Sequence, residues 1–240
     1  MSDSKEIVRF TKYLNQVENF DDALDKFFEP FKDYTDTLSD IVMPVKSFIT
    51  LATLAKKLKF KSFLKKYGEA IQKEEVSEDY FILLESYLQK RENFELVAEI
   101  IDSSIESKST KCSALLGYYS AQILINLIDV EYKNLVIINA LRIMVDKDLV
   151  HFIAIFKQFR SSENKKFRVH NMKEDFIKMG FPIFELENTI EKLKNIQVYG
   201  YDVGGIGNTG NAWAAFEFNQ NTDHLWEVIV NSGINLENNN

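Results

Sequence analysis

The stretch FELENTIEKLKNIQVYGYDVGGIGNTGNAWAAFEFN, residues 184–219, decides how the end of the chain is read. Residues 184–195 have the pattern of a helix, and residues 196–203 alternate as a half-buried strand does. A glycine-rich loop over 204–211 then leads into a second strand over 212–219. Upstream, residues 171–179 form a short helix stopped by Gly180, and downstream Asp223 opens a last helix over 222–230. The order helix, helix, strand, glycine loop, strand, helix predicts a winged-helix-like module with a two-stranded hairpin over residues 161–232. The polar, asparagine-rich residues 233–240 read as a disordered tail.

The same stretch contains Gly205-Ile206-Gly207-Asn208-Thr209-Gly210, which has the spacing of a dinucleotide-binding fingerprint. That chemistry needs a strand before the glycines and a helix after them, so that amides and a helix N-terminus meet the pyrophosphate. Here Ala212, Trp213, Ala214, Ala215, Phe216 and Phe218 follow as a strand, so the loop reads as the wing of a hairpin and no cofactor is expected. Charge argues against direct base readout by the module. Past Lys194 the chain has no Lys or Arg but carries Asp202, Glu217, Asp223, Glu227 and Glu237, whereas non-specific affinity for DNA rests on phosphate neutralisation. Phosphate contacts would have to come from the basic stretch before it, namely Lys157, Arg160, Lys165, Lys166, Arg168 and Lys173. The acids Glu185, Glu187 and Glu191 with Lys192 and Lys194 read as a solvated helix face.

Working outward, the chain of 240 residues is 45% hydrophobic and has only 9 Gly and 3 Pro. Six of those glycines lie at or after Gly200, which leaves too few turn formers for a sandwich or barrel elsewhere. Helices are expected over 79–90, 94–107, 111–128, 132–145 and 148–160, joined by short polar connections. The predicted fold is therefore mainly α: amphipathic helices over 1–38, a multi-helix bundle over 39–160, then the small α/β winged-helix-like module. Residues 41–55 and 115–145 are the most apolar, yet Lys46 interrupts the first and Asp129, Glu131 and Lys133 the second, so no spanning segment is expected. The start lacks the basic-then-apolar order of a secretory signal, and a single cysteine excludes an intramolecular disulfide framework. A reducing, cytoplasmic setting is expected.

Charge divides the first part of the chain. Residues 1–40 hold ten acids against five bases, whereas residues 41–68 hold seven lysines and no acid. In the acidic part, Ile7, Phe10, Leu14 and Val17, then Phe20, Leu24 and Phe27 one step out of phase, recur at helical spacing. They make a seam for packing within the chain or for a homodimer. In the basic part Lys56, Lys57, Lys59, Lys61, Lys65 and Lys66 alternate with apolar residues. Three readings stand: an amphipathic helix lying on an anionic membrane with Phe60, Phe63 and Leu64 in the acyl boundary, a surface for nucleic acid or an acidic protein partner, or a bundle helix with solvated lysines.

Motifs for catalysis are missing from the sequence. His151, His170 and His224 have no metal-ligand spacing, and Cys112 has no recognisable base nearby, so no catalytic, cofactor or metal residue is assigned. A lone buried thiol is the expected role of Cys112.

Ile41-Val42-Met43-Pro44-Val45, the run from Lys61 to Tyr67, Val76-Ser77-Glu78-Asp79, Leu83-Leu84 and the run from Leu96 to Ile101 together resemble a loose group of small bacterial and phage-borne helical proteins. Some of these look like the abortive-infection alpha family. The resemblance spans about residues 40–218, and the sequence lacks the glycine-rich apolar opening of many members. It implies phage defence or mobile-element biology and no established reaction. The expected function is that of a non-enzymatic protein acting through contacts with an unidentified protein partner. Membrane contact through residues 41–66 and nucleic-acid binding are the alternatives.

Overall fold

The computed structural model describes residues 54–73, 83, 86–161, 166–168, 173–178, 180–201 and 215–234, with the side chains of residues 54, 57, 72, 73, 168 and 173 left aside. The seam from Ile7 to Phe27, the apolar opening at 41–45, the cap at Ser77, the glycine loop at 205–210 and the end of the tail lie outside the described residues. The chain is mainly helical with a small antiparallel sheet near its C-terminus. It divides into two compact units, 1–131 and 132–240.

In the first unit, α1 (Leu54–Lys73), α2 (Arg91–Glu106) and α3 (Thr110–Ile125) pack on one another. The helix α1 buries Phe60, Phe63, Leu64, Tyr67, Ala70 and Ile71. These positions fall on one stripe at 3-4 spacing, which is why the helix forms against a neighbour rather than alone. The rings of Phe60 and Phe63 stack with centroids 5.5 Å apart. The partner helix α3 is apolar on nearly all sides, with Cys112, Leu115, Leu116, Tyr119, Ile123 and Leu124 buried, as a central helix must be. Its N-terminus is capped by Ser109, whose hydroxyl accepts from the amides of Lys111 at 3.0 Å and Cys112 at 3.1 Å.

Small side chains on α3 set its distance from α1. The Ser113 hydroxyl lies 2.7 Å from the Lys59 carbonyl and 2.9 Å from that of Ser104, so its one proton is shared between two helices. One turn on, a Cβ at Gly117 would sit 2.2 Å from the Phe63 carbonyl oxygen. The two helices therefore run parallel, Lys59 beside Ser113 and Phe63 beside Gly117. The end of α3 is fastened by Tyr87, whose hydroxyl donates to the Ile128 carbonyl at 2.6 Å, and by Lys90 and Asn93, which donate to Asp129 at 3.0 and 3.3 Å. Burial, with the Asp129 charge adding to it, pushes the Tyr87 phenol up to about 12, so it stays a donor throughout the neutral range.

The second unit holds α4 (Tyr132–Ile143), α5 (Asp146–Phe159), β1 (Lys166–Arg168), α6 (Lys173–Lys178), α7 (Ile183–Asn195), β2 (Tyr199–Gly200), β3 (Ala215–Phe218) and α8 (Gln220–Asn231). The sheet order is β1-β3-β2, all antiparallel, with Phe167 opposite Phe216 and Tyr199 opposite Phe218. Its buried face is aromatic: Phe167, Tyr199, Phe216 and Phe218 meet one another, while Phe152 stacks on Tyr199 and Phe156 on Phe218 and Trp226. Asn219 caps α8 by accepting from Asn221 and Thr222, and the Thr222 hydroxyl reaches the Val198 carbonyl at 2.5 Å, tying the cap to β2.

Two sequence expectations are corrected here. The sheet has three strands rather than two, because Lys166, Phe167 and Arg168 are too few to alternate visibly and only pairing with β3 reveals them. The strand after α7 begins later than expected, since Ile196 is the helix C-cap and Gln197 takes a left-handed φ of 64° before the chain extends. Within the second unit, α4 packs with α8 and α5 with α7.

The close approach at Gly117 generates a test. Alanine there adds helix propensity worth about 1 kcal/mol, but its methyl meets backbone that cannot swing away. Gly117→Ala is expected to destabilise the first unit by about 1–3 kcal/mol, read as a lowered thermal midpoint by circular dichroism.

Candidate functional site

Three places carry the polar chemistry of the described residues, and they differ in what can reach them. The first is the lysine face of α1. Lys61 and Lys65 are exposed, Lys56, Lys59 and Lys66 are half-buried, and the side chain of Lys57 lies outside the described residues. Lys66 is held by Glu69 at 3.0 Å. Burial, then the charges of Lys108 and Lys56, keep the Lys59 ammonium below its ordinary value, which brings the turn between α2 and α3 into the same basic area. The aromatic side chains expected to enter an acyl boundary point the other way: Phe60 and Leu64 are 0% exposed and Phe63 is 1% exposed. Those three side chains are not presented on the surface of the helix. Among the described residues no helix is long and apolar enough to cross a membrane.

A buried polar network joins α5 to α7 in the second unit. The Asp148 carboxylate accepts from the Val145 amide at 2.9 Å, from the Thr189 hydroxyl at 3.0 Å and from the Lys192 ammonium. With its proton committed to Asp148, the Thr189 oxygen accepts from His151 Nδ1 at 2.8 Å, a tautomer assigned from the network. The His151 ring also meets the edge of Phe181 with centroids 4.9 Å apart. An acid, a hydroxyl and an imidazole thus stand in a row, with the hydroxyl donating to the carboxylate and lying against the imidazole nitrogen. Asp148, His151 and Thr189 are all buried, and the arrangement locks two helices together. No sequence signal announced it, since the partners lie 38 to 44 residues apart.

The third place is the outer face of α7. Phe184 is 72% exposed on its first turn. Asn188 and Asn195 are exposed on the same stripe, and Tyr201, also exposed, extends it by donating to Asn195 at 3.0 Å. The lysines of this helix do not join them. Lys192 is bound to Asp148, and Lys194, 1% exposed, is bound to Glu191 at 3.0 Å with Tyr201 above it at 5.1 Å. The expected solvated charge face is corrected accordingly: its cations are neutralised inside the unit. Of the basic stretch before it, Lys166 faces Glu217 at 3.8 Å, while Lys165 and the side chains of Arg168 and Lys173 lie outside the described residues.

Cys112 is a buried free thiol. Among the described residues no group of His, Cys, Asp and Glu could hold a metal ion. His224 stands 3.7 Å from Glu227, and His170 lies outside the described residues. No family model, no curated protein and no solved structure matches the chain.

The histidine in the network makes the second unit sensitive to acid. Burial holds His151 below the ordinary imidazole value of 6.5, against the upward pull of Glu185 and Asp148, with Lys147 adding to the downward side. The folded state therefore prefers the neutral ring, and its contribution is complete above about pH 6.5 and lost as pH falls below that value. Both tryptophans, Trp213 and Trp226, belong to this unit, so their fluorescence follows it alone. Denaturant midpoints read that way are expected to fall from pH 7 to pH 5, and His151→Gln to flatten the fall.

Proposed function

We propose that the chain is a non-enzymatic interaction protein whose second unit is a winged-helix-like module that docks a protein partner through the outer face of α7. The order of α5, β1, α6, α7, β2 and β3, with β3 central in the sheet, supports the winged-helix reading. In such a module the helix before the hairpin presents the contact face. The observation that carries the reading is Phe184, a large apolar side chain 72% exposed on that helix, beside lysines already consumed internally. A phosphate backbone requires free cations, whereas an exposed aromatic beside Asn188, Asn195 and Tyr201 suits a protein hot spot, where aromatic anchors dominate. The pattern-level resemblance to abortive-infection proteins supports a role in phage defence or mobile-element biology, within the cytoplasm.

The test begins with a tagged copy of the full chain recovered from its host cells, with any protein in near-equal amount identified by mass spectrometry. Phe184→Ser combined with Tyr201→Phe, which keeps the ring over Lys194, is expected to weaken that partner's binding by about 2 kcal/mol or more, with the thermal midpoint nearly retained because both side chains are more than half exposed. Equal binding by the variant rejects this surface. In cells challenged with phage, the unmodified chain is expected to lower plaque number and the double variant to lose that effect.

A further inference from the structure

We propose that the joint between α5 and α7 is a proton-operated latch: protonation of His151 releases α7, the helix that carries Phe184, from its seat on α5. Its use in binding rests on the partner face proposed above, whereas the release itself is a property of the chain alone. His151 is 3% exposed and is held between the two helices. Its Nδ1 donates to the Thr189 hydroxyl of α7 at 2.8 Å, and its ring meets that of Phe181, just ahead of α7, edge-on with centroids 4.9 Å apart. The charged groups around the ring and its hydroxyl partner come from both helices: Lys147 and Asp148 from α5, Glu185 and Lys192 from α7. They are paired across the joint, the Lys147 ammonium with Glu185 at 2.9 Å and the Lys192 ammonium with Asp148.

Charge balance makes this joint respond to a proton. Two ammoniums and two carboxylates sum to zero around a neutral imidazole, so protonation leaves one net positive charge at a ring closed off from water. Both carboxylates already have a lysine, and the added proton lies on Nε2, since Nδ1 already donates to Thr189. A buried cation without its own counter-ion is costly, and the cost is relieved when the ring reaches water. Burial holds the imidazole below its ordinary 6.5, so the closed joint is fully favoured above about pH 6.5 and progressively lost below it. The opening is local. Phe156 against Phe218 and Trp226, and the Thr222 hydroxyl on the Val198 carbonyl, hold the sheet and α8 through groups that do not titrate in this range.

The test is hydrogen exchange of the full chain, followed by mass spectrometry at about pH 7.5 and about pH 5.5 and corrected for the intrinsic exchange rate at each. At the lower pH the amides of α7 are expected to be at least about tenfold less protected than those of α8, as for a segment that opens by itself. Between the two conditions the protection of α7 is expected to fall by about two- to fivefold, through linkage of one proton to the opening. His151→Gln is expected to remove that fall. Lys147→Gln, at a side chain 70% exposed, is expected to shrink it, because protonation then takes the cluster from one net negative charge to zero. This second variant keeps the test decisive where His151→Gln does not fold. Phe184→Ser is expected to leave the exchange of α7 and its pH response unchanged. Equal protection of α7 and α8 overturns the inference, since the joint then opens only with the whole unit. A fall absent from the unmodified chain, surviving His151→Gln or undiminished by Lys147→Gln overturns it as well. Each of these outcomes leaves the partner face on α7 standing, and a partner indifferent to Phe184 leaves the latch standing.

Discussion

The absence of a side chain at Gly117 is the constraint on which the first unit depends. A helix as lysine-rich as α1 has no reason to be stable alone in water, and it gains its stability by laying one aromatic and aliphatic stripe on α3. The approach is close enough that the Phe63 carbonyl occupies the space a Cβ would fill. Ser113 then fixes the axial register by sharing its proton between Lys59 and Ser104. Once roll and register are set, Lys61 and Lys65 leave the helix away from the buried stripe of Phe60, Phe63 and Leu64.

The second unit obeys the same logic with a different outcome. Its aromatic side chains assemble around the small sheet, and the network on Asp148 ties α7 to α5. That tie uses Lys192, and Glu191 uses Lys194. A helix whose sequence is a mixture of acids and bases therefore presents an aromatic ring and amides to solvent, with the Tyr201 phenol donating to Asn195 beside it. Internal neutralisation of Lys192 and Lys194 leaves Phe184 as the exposed large side chain of this helix among the described residues.

Helical character was legible because it rests on local signals. Sparse glycine and proline and the 3-4 spacing of apolar residues both act within a few residues. The helices from residue 91 onward lie within a few residues of their expected bounds. The order of elements near the C-terminus was legible for the same reason. β1 was not, because three residues carry no period and their identity as a strand exists only in pairing with β3. Nor was the division near residue 131, since sequence texture changes at residue 160 while packing already groups α4 and α5 with the C-terminal helices and sheet.

Composition and spacing determined by themselves that this chain is mainly helical, that its lysines cluster over residues 56–66 and that it carries no motif for a reaction. They did so because backbone propensity and charge density are properties of neighbours in the chain. Which side of the lysine helix meets solvent, and which lysines of α7 remain available, was decided only by tertiary structure. Both depend on contacts between residues about 40 or more positions apart, such as Lys59 with Ser113 and Asp148 with Lys192, and a buried partner leaves no mark on the residues beside it in sequence.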